Sequence, residues 1–387
     1  MKDIAIDLAV CIPSKNESLT ISHVTATIDK GLSRYYPEMN CIIVNIDSNS
    51  NDGTSKTFLD TPTQHRKLSI QAVKKEHPGK GVNLHQFLAL ASEMNVKCGM
   101  VIDADLESIE EEWIPNLGEP ILSKKADFVT PLYSRHKFDA TITNHLCVPI
   151  LYGEWKATIH QPIGGEFSFS QKYIHSALKA LNEIHSQPNP LSTRVDCFGI
   201  DIFLTTHAIA NSFVIHQSYL GQKIHRFREI RTLKSMFLDV AITLFQTITS
   251  YRNKKGYLRP IKPPQDPTPP LETSIKIELP ALRALIAEEV GALSSSASLQ
   301  YKQLTNLVET KKLNNGNQIL LSINPQEWVR TLKDILDRGL GDSYLQEVIE
   351  ALYPLFLARL VNHFTSISDL NFTQAKHLVE EQTKLMR

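Results

Sequence analysis

The chain has 387 residues, 42% of them apolar, enough to bury a sizeable core without staples as two domains or as one large domain with an appendage. Its 41 basic and 41 acidic residues cancel, which argues against a nucleic-acid partner held by bulk charge. No apolar run reaches about 18 residues, so no membrane span is expected, and Met1-Lys2-Asp3-Ile4 lacks the charged-then-apolar layout of a signal peptide. The five cysteines are odd in number and nowhere at metal-knuckle spacing. They read as reduced thiols of a cytoplasmic protein, with Cys11, Cys41 and Cys98 in core runs.

The first apolar run, residues 8–12, reads as a strand ending in Pro13-Ser14-Lys15-Asn16-Glu17. A helical pattern over 19–32 follows, with Asn16 or Ser18 available to cap it. Strand, polar turn and helix in that order open an α/β unit, and such turns lie where open α/β sheets bind ligands. Pro13, Ser14, Asn16 and Glu17 are thus candidates for a nucleotide cradle. A second strand over 40–46 ends in Asp47-Ser48-Asn49-Ser50-Asn51-Asp52-Gly53-Thr54, a tight polar loop leading into a helix over 54–59. Asp47 stands where a carboxylate can accept hydrogen bonds from a base or ribose, whereas Asp52-Gly53 reads as turn chemistry. A third strand over 68–73 precedes His77-Pro78-Gly79-Lys80-Gly81-Val82-Asn83 and a helix over 84–94. The glycines permit close backbone approach, and Lys80 either meets a phosphate or a uracil-type carbonyl or is a solvated turn lysine. The spacing is not that of the nucleoside triphosphatase phosphate loop. Gly99-Met100-Val101-Ile102 is a fourth, buried strand running into Asp103-Ala104-Asp105. Residues i and i+2 of an extended segment share a side. Asp103 and Asp105 can therefore aim hard oxygen ligands at one Mg2+ or Mn2+, which would hold a diphosphate; the alternative is an Asp-rich turn.

Arg135, His136 and Lys137 form a basic cluster, either a solvated loop or a clamp for a small anion, to which Thr143 and Asn144 can add neutral hydrogen bonds. The stretch 161–170 contains Gly164-Gly165-Glu166 and alternating aromatics. It is a bulge entering a strand, or a loop that lets the backbone approach a sugar with Glu166 near the hydroxyls. Asp201 lies in an apolar run over 198–204 that otherwise reads as core helix, so its charge requires a partner. His225 follows a strand over 215–220. Pro260, Pro263, Pro264, Pro267, Pro269 and Pro270 mark a linker or extended strap. Beyond 275, leucine, glutamate and lysine recur at helical spacing, with Pro280 in a first turn, Gly339-Leu340-Gly341 as a break, Ser343 as a cap and Pro354 as a kink or split. Val348, Leu352, Leu355, Leu357 and Leu360 need burial against the rest of the chain, in a homodimer interface, or both. The expected division is a catalytic α/β domain over 1–255, a Pro-rich linker over 256–274 and a helical C-terminal region over 275–387.

The order of the 13–17, 46–54, 79–81 and 101–105 motifs resembles the nucleotide-sugar-binding half of the GT-A glycosyltransferases. The middle stretch adds Thr130-Pro131-Leu132-Tyr133-Ser134-Arg135, Gln161-Pro162-Ile163-Gly164-Gly165-Glu166, Phe198-Gly199-Ile200-Asp201 and Leu220-Gly221-Gln222-Lys223-Ile224-His225. With these it is similar to the retaining enzymes grouped around glucosyl-3-phosphoglycerate synthase in glycosyltransferase family 81, and more loosely to mannosylglycerate synthases. The resemblance spans residues 1–230. It implies an α/β GT-A fold, a Rossmann-like mixed sheet with a helical C-terminal appendage. It also implies metal-dependent transfer of glucose or mannose, with retention, from a GDP- or UDP-hexose to glycerate, 3-phosphoglycerate or a similar small anion. Pro13, Ser14, Asn16, Glu17, Asp47, Lys80, Asp103 and Ala104 would then bind the nucleotide sugar. Asp103, Asp105 and His225 would hold the metal, with His216 and His207 competing for the last place. Asp201, Glu166 and Arg135 would be catalytic, and His136, Lys137, Thr143, Asn144, Gly164 and Gly165 would face the acceptor. Two rivals stand beside this. A nucleotidyltransferase shares a similar core but opens with a glycine-rich loop, which 13–17 is not. A non-catalytic protein on a degenerate scaffold would act through its helical tail, and the intact carboxylate pair counts against it.

Overall fold

Along β1 (Leu8–Ser14) the side chains alternate between two apolar layers: Leu8, Val10 and Ile12 enter one core, Ala9 and Cys11 the other, all of them buried. A strand covered on both faces reads as a continuous apolar run, as this one does. The computed structural model describes residues 6–73, 79–186, 190–224, 232–252, 279–294, 309–312, 319–339 and 342–387. Within them β1 is joined by β2 (Cys41–Asp47), β3 (Arg66–Gln71), β4 (Cys98–Val101), β5 (Phe128–Ser134), β6 (Phe167–Ser170) and β7 (Ile215–Gln222). The seven strands stand in the order β3-β2-β1-β4-β6-β5-β7, parallel except for β6, which runs antiparallel to both of its neighbours.

Helices α1 (Ile21–Tyr35), α2 (Thr54–Asp60) and α4 (Trp113–Leu122) follow β1, β2 and β4, and α3 (Lys80–Glu93) lies between β3 and β4. One face of the sheet packs on α1 and α4 through Val24, Ile28, Trp113 and Ile114. The other packs on α3, α6 (Gln171–His185) and α8 (Gly199–Ala210) through Phe87, Tyr173, Ile174 and Phe203. Strand and helix positions follow the sequence pattern closely at β1, β2 and β4. At α3 they do not: the helix begins at Lys80, four residues before the predicted start.

A third core joins the α/β layers to the C-terminal region. It gathers a π-helical turn (Thr143–Cys147), α5 (Val148–Trp155), the far side of α8 and α9 (Thr232–Tyr251), and, after α7 (Pro190–Val195), the helices α10 (Leu279–Ser294), α11 (Pro325–Arg338), α12 (Asp342–Ile367) and α13 (Phe372–Lys384). Strands β8 (Glu309–Lys312) and β9 (Ile319–Ser322) pair beside them. Pro354 does not split α12, which runs through it. Tyr353, Phe356 and Leu357 around it are fully buried, and that packing outweighs the lost hydrogen bond. Ser343 lies inside this helix rather than ahead of it. Val348, Leu352, Leu355, Leu357 and Leu360 are buried within the same chain, so their apolar surface does not call for a second copy. The predicted proline-rich linker lies outside the described residues.

Candidate active site

The carboxyl ends of β1, β2, β4, β5 and β7 and the amino end of β6 share one edge of the sheet. β1 has β2 on one side and β4 on the other, so the strand order reverses there, and such switch points open the crevice in which α/β sheets bind ligands.

On the β1–β2 side, two loops are laced together. Asn16, in the left-handed region at φ 58°, donates its backbone N–H to Ser50 Oγ (2.7 Å) and accepts the Asn51 N–H at Oδ1 (3.1 Å). The Glu17 N–H reaches Thr54 Oγ1 at 2.8 Å and the Ser18 N–H reaches Asp52 Oδ2 at 3.0 Å. These groups therefore do not cap α1, which starts behind Thr20 with no side-chain cap. Burial would raise the Asp52 carboxyl, but the bonds from Thr54 and Ser18 bring it down to about 2. With Gly53 at φ 87°, Asp52-Gly53 is turn chemistry. Asp47 is buried, and its carboxylate accepts from Ser50, from Ser55 (2.8 Å) and from Gln71 (3.3 Å). It shapes this loop from within. Ser14, buried below it, receives Asn45 Nδ2 at 2.7 Å, and Pro13 stands opposite Ile46 in the sheet.

At the centre, five charged side chains from five separate segments converge. Lys80 Nζ lies 2.7 Å from Asp103 Oδ1 and 3.2 Å from Asp201 Oδ2, and donates to the Gly165 carbonyl at 3.3 Å. Lys223 Nζ lies 3.3 Å from Asp103 Oδ2, 2.9 and 2.8 Å from the two oxygens of Glu166, and 2.7 Å from the Gly164 carbonyl. The Tyr133 hydroxyl donates to Glu166. Asp103 thus has an ammonium on each oxygen. Burial pushes Glu166 up to about 7 against the pull of Lys223, and raises Asp201 against the pull of Lys80. Burial also works against the Lys80 charge, but Asp103, Asp201 and Glu166 outweigh it and hold this lysine above its ordinary value. Asp201 Oδ1 is buried without a hydrogen-bond partner, so this carboxylate keeps an acceptor open.

Three expectations are corrected by this geometry. Glu166 does not line a sugar site: it has no exposed surface and both oxygens are taken by Lys223 and Tyr133, so it braces the cluster from behind. The close approach that the glycines around Lys80 permit is not made by a ligand: Lys80 is the first residue of α3 and Gly79 its N-cap. A Cβ on Gly81 would overlap the Val195 carbonyl, and the Gly81 and Val82 N–H groups donate to Cys197 O (3.2 Å) and Asp196 O (3.1 Å). The close approach is the chain's own, and it brings Lys80 to Asp201. Third, Lys137 leaves the basic cluster, since its Nζ donates to the carbonyls of Ile367 (3.0 Å), Ser368 (2.7 Å) and Leu370 (2.7 Å) at the end of α12.

The remaining acceptor-side candidates are placed as follows. Gly165 sits at φ 97°, where a Cβ would collide with Asp103, and Gly164 packs on Pro131. Arg135 lies 5.5 Å over the Tyr133 ring, pairs with Asp139 at 2.9 Å and keeps its Nε buried without a partner. His136 Nδ1 accepts the Phe138 N–H at 3.3 Å. Thr143 is buried on the π-helical turn, and the Asn144 carbonyl accepts from Gln382 at 3.4 Å.

For the metal, His225 lies outside the described residues. Its competitors are accounted for: His207 is buried between Ser176 (2.9 Å) and Tyr251 (2.8 Å), and His216 is exposed on β7. Asp105 is buried two residues beyond Asp103, with Ala104 buried between them. Carboxylate oxygens suit Mg2+ or Mn2+, and the carboxylates present here are Asp105 and Asp103, the latter with an ammonium facing each oxygen. Lys223 and Tyr133 had no role assigned from sequence. Each is a single polar residue at a strand end. No local pattern sets either apart.

No protein-family model matches the sequence, and no curated protein sequence does. Solved structures do. Glucosyl-3-phosphoglycerate synthase from Mycobacterium tuberculosis, in complex with Mn2+, UDP-glucose and phosphoglyceric acid, is similar with a TM-score of 0.50 at 25% identity, over 62% of this chain and 79% of that one. The same enzyme with Mn2+, UDP and glucosyl-3-phosphoglycerate gives 0.50 at 24%, over 62% and 80%. A further mycobacterial protein gives 0.51 at 24%, over 63% and 76%. The chain has the GT-A fold. The charged cluster lies at the carboxyl edge of that sheet, beside Asp103-Ala104-Asp105.

Proposed function

We propose that the chain is a metal-dependent glycosyltransferase that moves a hexose, glucose first, from a nucleoside diphosphate sugar to a small anionic acceptor of the glycerate or 3-phosphoglycerate kind. The reading is carried by one observation: Lys80, Asp103 and Asp201 meet at the β1/β4 switch point of a GT-A sheet. UDP comes before GDP as the donor base, because the similar enzyme binds UDP-glucose with Mn2+ and phosphoglyceric acid.

The laced loops at 13–18 and 47–54 form a cradle already in order, so a nucleotide meets little entropic cost there. Asp105 and Asp103, with His225, are the residues that would hold Mg2+ or Mn2+, which supplies positive charge at the leaving diphosphate when bound. Asp201 is anchored at Oδ2 by Lys80, and its buried, unpartnered Oδ1 is the acceptor that a bound sugar hydroxyl would satisfy, orienting the hexose beside the incoming acceptor. Arg135 receives the acceptor's carboxylate or phosphate. In the central cluster Glu166 is engaged and Asp201 is committed to the sugar, which leaves no dedicated base for the acceptor hydroxyl. That fits retention, with the leaving phosphate taking the proton. No helix among the described residues is long and apolar enough to cross a membrane, and five free thiols suit the cytoplasm. In this reading residues 1–255 are the catalytic domain, 256–274 the linker and 275–387 the helical region, and a homodimer would use a surface other than the buried Val348, Leu352, Leu355, Leu357 and Leu360 of α12.

The test is to mix the protein with UDP- or GDP-glucose and with glycerate or 3-phosphoglycerate, with and without Mn2+. Nucleoside diphosphate release should require metal and acceptor together, and the new glycosidic bond should be α by NMR. Pyrophosphate release from a nucleoside triphosphate instead would overturn the reading in favour of a nucleotidyltransferase.

A further inference from the structure

The segment between β5 and α5 carries Arg135, His136, Thr143 and Asn144, yet the long-range side-chain bonds described for it run to the C-terminal helices. Near its start, the Lys137 ammonium takes three carbonyls at the end of α12, 2.7 to 3.0 Å away, where helix carbonyls lack partners and the helix dipole is negative. Phe138 meets Phe364 edge-on at 5.5 Å. Near its end, the fully buried Trp328 of α11 donates its indole N–H to the His145 carbonyl at 2.6 Å. Gln382 of α13 holds the Asn144 carbonyl at 3.4 Å and lies 3.2 Å from His145 Nδ1, and the His363 ring of α12 stands 4.4 Å from that of His145. The turn so held is π-helical, a departure from the regular ladder that is frequent at functional sites.

We propose that helices α11–α13 are the seat of the acceptor segment, and that Lys137 is a positioning residue which sets where Arg135, two residues earlier, presents its guanidinium. This rests on the acceptor role given to Arg135 above. Two pins, at 137–138 and at 144–145, fix the segment at both ends. Arg135 then has a fixed approach to the site rather than the sweep of a loose loop, and preorganisation of that kind is worth affinity. The C-terminal region thereby takes part in acceptor binding without touching the acceptor. A helical region that merely stabilised the fold would change donor and acceptor constants alike when loosened.

The test compares Lys137→Met, which keeps the stem beside the Phe138 ring and removes the three donors, with Lys137→Arg, which keeps a cation. Hydrogen exchange on the full chain should show protection over 135–147 reduced about tenfold in Lys137→Met, with β1–β4 unchanged. The acceptor KM should rise about tenfold while donor affinity holds, and Lys137→Arg should recover most of both. Unchanged exchange over 135–147, or loosened exchange with an unchanged acceptor KM, would overturn the proposal. If the wild-type protein transfers to no anionic acceptor, the glycosyl-transfer reading fails and takes the role of Lys137 toward the acceptor with it. The exchange result separately decides whether the helices seat the segment.

Discussion

Beside β1 and β2, the site is held by backbone N–H groups of one loop bonding to side chains of the next, 34 to 37 residues away. Beside β5 and β7, it is held by long-range side-chain ion pairs and caps whose partners are 57 to 233 residues apart. The difference is one of tolerance. A laced backbone keeps its shape when one side chain is changed, because each bond is worth about 1 kcal/mol and has neighbours. A buried charge network does not, since removing one ion strands another in a medium that cannot solvate it.

The largest effect should come where the two sides meet. Asp105→Ala should lower transfer by about 10³-fold or more, as expected for loss of a charge-stabilising group at the reacting centre, while circular dichroism shows an intact fold. Retained turnover would remove the metal assignment. Next, Lys223→Met strands Glu166 and should cost about 3–5 kcal/mol by chemical denaturation, most of it recovered in the Lys223→Met, Glu166→Gln double variant. On the other side, Asp52→Asn should cost only about 1 kcal/mol, and equal losses would erase the distinction drawn between the halves.

The glycines sharpen the same contrast. Gly165→Ala forces a left-handed alanine against Asp103, and should cost about 1–3 kcal/mol together with most of the activity. Gly53→Ala is equally left-handed but meets open space, so about 1 kcal/mol and unchanged turnover are expected. A further test lies in pH dependence. Folding raises the Glu166 carboxyl from 4.5 to about 7, so the native state holds this proton more tightly than the unfolded chain. Its contribution to stability is full below 4.5 and declines as pH rises toward 7. Glu166→Gln should flatten that part of the stability profile; an unaltered slope would mean that the group titrates normally.

What was legible from sequence divides along the same line. Apolar runs ending in Pro13-Ser14, Asp47 and Asp103 announce strands and their ligand edge, because both signals are local and in chain order. The Gly79-Lys80-Gly81 motif was visible, but its purpose was not: the glycines admit the backbone at 195–197, and no local pattern tells a protein neighbour from a ligand. Asp201 was rightly read as a charge in need of a partner, and the partner is Lys80. The environment of Glu166 is not legible, because sequence does not reveal that Lys223 and Tyr133 close over it. Lys137 looked like one of three equivalent cations until α12 arrived to take it.

The most direct measurement is calorimetric titration of UDP-glucose into the wild-type protein and into Asp105→Ala, each with and without Mn2+. Binding by the wild type that requires the metal, and its loss in Asp105→Ala, is the expected result. Metal-independent binding that survives Asp105→Ala, or no nucleotide-sugar binding at all with a nucleoside triphosphate binding instead, would contradict the assignment of the carboxyl edge as a metal-dependent sugar-nucleotide site.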